Sequence, residues 1–115
     1  MNTYQRPLSV TVLSWVLIAI GAAGSVYHFR DLSPSIYEGL TIELTELWAI
    51  VAGVGMLRGH NWARWAALAW IVFHVYLSLF HRVTELAVHA VFCAAFAWIL
   101  FRPPAARYFR GAAGE

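Results

Sequence analysis

The sequence predicts an all-α, polytopic membrane protein: an antiparallel bundle of four transmembrane helices that runs up-down-up-down. Hydrophobic residues make up 61% of the 115 positions and charged residues only 12%, about half the charged share of a typical soluble domain. Four apolar stretches fill nearly the whole chain, and each approaches the ~20 residues that a helix needs to cross the hydrocarbon layer. The remaining segments are too short for a separate soluble domain, so we predict a single domain over 1–115.

The four spans are expected at approximately 8–27, 40–57, 62–80 and 85–101, followed by a short amphipathic tail over 103–115. Gly59 is suited to the left-handed residue that closes the second helix, and Asn61 to the cap of the third. Pro103 and Pro104 are expected to end the fourth helix. The segment 34–39 forms either a short interfacial helix or an outward extension of the second span.

Arginine positions predict the orientation of the chain. Lysine is absent, and an even number of spans puts both ends of the chain on one side. Six arginines fall on that side: Arg6, Arg58, Arg64, Arg102, Arg107 and Arg110. Only Arg30 and Arg82 fall on the other. Because positive residues stay in the cytoplasm, we expect both termini to be cytoplasmic, in a membrane of the bacterial inner-membrane type. The tail is expected to lie along the inner surface, where its arginines meet anionic lipid.

Small residues are the expected contacts between the helices, because lipid removes the hydrophobic drive for helices to associate and leaves close packing. Each predicted span carries candidates. They are Gly21, Gly24, Ala49, Gly53, Gly55, Ala63, Ala67, Ala87, Ala90, Ala94 and Ala97.

The chemically informative residues are ionisable groups in the outer half of three spans. Counting from the estimated helix ends at 1.5 Å per residue, Glu46, His74 and His89 reach a common depth of ~8 to 10 Å. Ionisable side chains in a span normally face the bundle and find partners. We therefore expect these three to converge on a ligand-binding or metal-binding pocket that opens outward. A polar vestibule or second shell is expected above them, formed by Glu43, His81, Glu85 and His28.

Several chemistries fit such a pocket. Two imidazoles and a carboxylate match the ligands of a transition metal, and facing histidines in a bundle also suit haem, the weaker alternative. A buried carboxylate beside histidines suits proton relay or binding of a small solute. The cofactor therefore stays unknown at this stage.

The alternative to a functional pocket is a packing role. In that case the histidines and glutamates only fix the helix register, and the protein is a non-catalytic accessory or interaction subunit, for example a homodimer or part of a larger membrane complex. The sequence carries no H-E-x-x-H, no glycine-rich phosphate loop and no basic-aromatic stripe, so nothing favours an enzyme or a nucleic-acid partner. The single cysteine, Cys93, excludes an intramolecular disulfide.

Overall fold

A computed structural model describes residues 5–29 and 36–114. All regular structure in these residues is helical. The helices are α1 (Leu8–Phe29), α2 (Ile36–Leu57), α3 (Asn61–Ser78), α4 (Val83–Phe101) and α5 (Pro103–Gly114). By length and composition α1, α2 and α4 can cross a membrane. The 18-residue α3 is more polar, because it contains Asn61, Arg64 and His74. It is not among the helices that are apolar enough to cross a membrane.

Helices α1 to α4 pack as sequential antiparallel neighbours, and hydrogen bonds between indoles and backbone show the register of α2 against α3. Trp48 Nε1 donates to the Ala66 carbonyl at 2.9 Å, and Trp70 Nε1 donates to the Thr45 carbonyl at 3.1 Å. The earlier residue of α2, Thr45, thus pairs with the later residue of α3, Trp70. This order is that of antiparallel helices. The most extensive helix pair is α1 with α2, whereas α1 and α4 touch only slightly.

Glycines bring α1 and α2 into backbone contact. A Cβ at Gly21 would lie 2.6 Å from the backbone oxygen of Glu46, and one at Gly53 would lie 2.7 Å from that of Ser14. No real Cβ sits that close, so each position needs glycine at this helix spacing. The predicted small-residue contacts are confirmed in the first three helices, where Ala49, Ala63 and Ala67 are also fully buried.

The expectation that alanines of α4 form a helix seam is wrong for three of the four. Ala87, Ala90 and Ala94 are exposed, and Ala97 is half-buried. Helix α4 instead packs through larger side chains such as Phe96 and Leu100, which are buried in the core. Its weak contact with α1 leaves the alanine face without a helix partner in the described part of the chain.

The helix ends agree with the turn and cap residues predicted from the sequence, with one correction. Gly59 has φ 78°, the left-handed conformation expected of it, and the His60 N–H donates to the Gly55 carbonyl. The N-cap of α3 is His60 and not Asn61, which is the first residue of the helix. Segment 36–39 belongs to α2 and so extends the second helix; residues 34 and 35 lie outside the described part.

Helix α5 begins with the two prolines, Pro103 and Pro104, and covers one end of the bundle, which we call the α5 end. Phe109 is fully buried, and the Tyr108 hydroxyl donates to the carbonyls of Met56 and Leu57 at 3.0 and 3.1 Å. The apolar face of the tail thus packs on protein, while Arg107 and Arg110 are exposed.

The same end of the bundle encloses Arg64, which is 6% exposed. Its guanidinium carbon lies 4.7 Å from the ring centre of Phe101 and 5.7 Å from that of Phe109. Such cation–π contacts offset part of the cost of burying the charge. Leu100, Tyr108 and Phe109 belong to the hydrophobic core at this end of the bundle.

The glycine contact between α1 and α2 predicts that Gly21→Leu destabilises the protein, because the new side chain meets the backbone of α2. We expect a loss of about 1–3 kcal/mol or more in the free energy of unfolding, measured by thermal or denaturant unfolding in detergent. Ala23→Leu, on the exposed side of the same helix, is the matched control and should change stability by less than ~0.5 kcal/mol. Equal losses in the two variants would contradict the packing.

Candidate functional site

A cavity of about 250 Å³ lies near the middle of the bundle, and all four long helices contribute to its wall. Three of its lining residues are ionisable and six are apolar. They are Glu46, His74, His89, Val16, Ile20, Trp70, Ile71, Phe92 and Phe96. The structure thus brings Glu46, His74 and His89, which the sequence analysis singled out from three separate helices, to one cavity.

The cavity opens sideways between α1 and α4. Its most exposed lining residues are Val16 and Ile20 on α1 and Phe92 on α4, at 43%, 45% and 52%. The lining residues from α2 and α3 are buried or half-buried. Phe92 lies nine residues into α4, or ~14 Å along it, so the opening is close to the middle of the helix. This position differs from the outward opening that the sequence suggested.

The two histidines meet across α3 and α4. Their rings stack with centres 5.9 Å apart and planes at 25°. His74 Nδ1 lies 2.8 Å from the Trp70 carbonyl, and His89 Nδ1 lies 2.8 Å from the Glu85 carbonyl. A carbonyl only accepts, so in each ring Nδ1 carries the hydrogen. When the rings are neutral, Nε2 is therefore the acceptor of each.

Ser78 joins the two histidines and was not identified from the sequence. Its hydroxyl donates to the His74 carbonyl at 2.8 Å, and its oxygen lies 2.9 Å from His89 Nδ1. Since the hydroxyl hydrogen is used by the carbonyl, the serine oxygen accepts from the imidazole. The spacing could have indicated this role, because Ser78 stands four residues after His74, at the end of a helix that turns directly into α4.

Glu46 reaches the cavity from α2 beside a glycine of α1. A Cβ at Gly24 would lie 2.5 Å from Glu46 Oε2, so the missing side chain at position 24 makes room for the carboxylate. Oε2 is buried and has no hydrogen-bond partner among the described residues. A buried acceptor without a partner is unfavourable.

The predicted vestibule residues separate into two groups, none of which lines the cavity. Glu43 and His28 are half-buried and close enough to Glu46 to interact with its charge, and Ser25 Oγ donates to Glu43 Oε2 at 2.5 Å. His81 and Glu85 are exposed at the turn between α3 and α4. All four were predicted to lie together because residue spacing gives depth along a helix but not the direction of each side chain.

The cavity geometry favours neither metal nor haem. Within residues 5–29 and 36–114, no three His, Cys, Asp or Glu side chains are grouped as a metal ion requires. The histidine rings stack face to face, whereas a haem iron would be bound between two Nε2 atoms on opposite sides of a porphyrin. The described site residues therefore do not fit the metal and haem forms of the sequence hypothesis.

Comparison with known proteins adds no relative to this description. No protein-family model matches the chain, and neither the curated proteins nor the solved structures include a significant match.

The hydrogen bonds of the imidazoles predict their tautomers. In protein with ¹⁵N-labelled histidine above the pH of imidazole titration, His74 and His89 should give the nitrogen shifts of rings protonated at Nδ1. His60, which makes no side-chain hydrogen bond within the described residues and stacks on Trp62, serves as the reference for a solvated ring. Rings protonated at Nε2 in both cavity histidines would contradict the hydrogen-bond assignment.

Proposed function

We propose that the protein is a small integral membrane protein that binds a small ligand in the cavity formed by its four long helices. The observation that carries this proposal is the meeting of Glu46, His74 and His89, from three helices, at one otherwise apolar cavity. Apolar walls with a few convergent polar groups are typical of small-molecule sites. The volume is slightly below the ~300–1,000 Å³ range of such pockets, so the ligand is small.

Burial at the α5 end argues against a continuous proton or solute pathway. Leu17, Met56 and Leu100 are fully buried beyond the cavity. In the described part of the chain, no Asp, Glu or His is among the buried polar or charged residues, which are Ser14, Arg64 and Ser78. A proton relay across the membrane needs titratable groups or water along its path. Binding, with exchange of ligand through the gap between α1 and α4, is the function that the cavity supports best.

The second candidate is an interaction subunit, and the exposed alanines of α4 favour it. Ala87, Ala90 and Ala94 are spaced three and four apart, so they share a face. They are exposed, and small residues on a lipid-facing helix permit close approach of another helix. On this view a second copy or a partner membrane protein packs on the alanine face. The histidines and glutamates then only fix the helix register.

A four-span topology with both ends in the cytoplasm accompanies either function. Helix α3 measures ~27 Å at 1.5 Å per residue, and the short turns 58–60 and 79–82 connect it antiparallel to α2 and α4. If α2 and α4 cross the membrane, α3 crosses with them. Arg64 of α3 lies near the α5 end, where the aromatic rings of Phe101 and Phe109 cover its charge. Six of the eight arginines are expected on the side of the α5 end and two on the other, which favours the α5 end as cytoplasmic.

Reporter fusions in bacteria test this topology. Green fluorescent protein should fluoresce when it is fused after residue 60 or at the C-terminus, because both positions are expected in the cytoplasm. Alkaline phosphatase should be active when it is fused after residue 81, on the other side. If α3 does not span, the fusions after residues 60 and 81 report the same side, which would refute the four-span proposal.

Filling the cavity tests the binding function. We expect a thermal-shift screen of small fragments against the full-length protein to give hits that disappear in Val16→Trp, because the indole occupies the opening. Val12→Trp is the matched control: Val12 is exposed one turn away on α1 and does not line the cavity, so hits should persist. If no fragment hit is lost in Val16→Trp, ligand binding in the cavity is contradicted. The interaction subunit is then the better account.

A further inference from the structure

We infer that the ligand is a protonated amine with an apolar body that reaches the cavity from the membrane. This inference rests on the proposed binding function and assigns a chemical class to its ligand. It depends on three independent features: the direction of the opening, the hydrogen-bonding character of the lining, and its charge.

The opening determines the route. The gap between α1 and α4 is bordered by Val16, Ile20 and Phe92, all partly exposed, and it lies near the middle of α4. In a chain whose α1 and α4 cross the membrane, that gap faces the hydrocarbon layer. A ligand that enters there dissolves in lipid, so most of its surface is apolar.

The lining offers acceptors and no free donor when both imidazoles are neutral and Glu46 is ionised. The Nδ1 hydrogens of His74 and His89 are bound to backbone carbonyls, and the Trp70 indole N–H is bound to the Thr45 carbonyl. What remains is Nε2 of each histidine and the carboxylate group of Glu46, which also lines the cavity. Only a ligand that donates hydrogen bonds complements this set.

The charge of the lining selects a cation among possible donors. Glu46 is an acid, and no arginine lines the cavity. The rings of Trp70 and Phe96 also line the cavity, but they stack on each other with centres 6.5 Å apart, so the attraction for a cation comes from the carboxylate. An ammonium group combines charge with up to three donors, whereas an alcohol supplies one donor without charge. A carboxylate would be repelled.

Three probes with one shape separate these properties: 1-naphthylmethylamine, 1-naphthylmethanol and 1-naphthoate. Each is titrated into full-length protein in nanodiscs of zwitterionic lipid, with empty nanodiscs to correct for partitioning. We expect the amine to bind at least about tenfold more tightly than the alcohol, a difference that a charge-assisted hydrogen bond supplies, and the naphthoate not to bind.

Glu46→Gln should remove the preference for the amine while binding of the alcohol persists, which also shows that the cavity is intact. Glu85→Gln is the matched control, since Glu85 is exposed in the first turn of α4. This variant should leave the preference for the amine unchanged. If Glu46→Gln does not fold, Val16→Trp in otherwise unchanged protein should abolish binding of both amine and alcohol.

Outcomes that overturn the inference are distinct from failure of the proposed function. Equal affinity for amine and alcohol, binding of the naphthoate, or an amine preference that survives Glu46→Gln would exclude a cation site while a binding cavity stands. No binding of any probe also overturns the inference, and the fragment screen with Val16→Trp then decides separately whether the cavity binds anything.

Discussion

The need to satisfy polar groups inside a very small apolar bundle constrains the whole structure. A charged side chain at the centre of a span costs ~2.5–3.5 kcal/mol on insertion scales, so an ionisable group placed there must face protein. The close approach of α1 and α2 at Gly21 and Gly24 makes this possible for Glu46, because the absent side chain at position 24 leaves space for its carboxylate. The histidines and indoles are oriented by backbone carbonyls in the same way.

The helices of the fold could be predicted because apolar runs of near-spanning length have few other structures available. Gly59 and the prolines fixed the ends of two helices through backbone geometry alone. The docking of α5 could not be predicted, because alternating alanine, aromatic and arginine residues suit a lipid surface as well as a protein surface. Only the structure shows Phe109 buried beneath Arg64. The exposed alanines of α4 were mistaken for contacts because residue size does not reveal which neighbour a helix faces.

For the candidate site, depth was predictable and direction was not. Counting residues placed Glu46, His74 and His89 at one level, and the structure places them at one cavity. The same count also grouped His81 and Glu85 with them, although both are exposed. The volume of the cavity and its sideways opening arise from the weak contact between α1 and α4, a tertiary property that no local pattern encodes.

The central claim is that residues from separate helices meet at this cavity in the membrane. A solid-state NMR measurement of dipolar coupling between the labelled side chains of His74 and His89, in lipid bilayers, tests it most directly. The structure predicts clear coupling, because the ring centres are 5.9 Å apart. Absence of coupling, in protein that retains its helical content, would place the two imidazoles on different faces of the bundle and contradict the account.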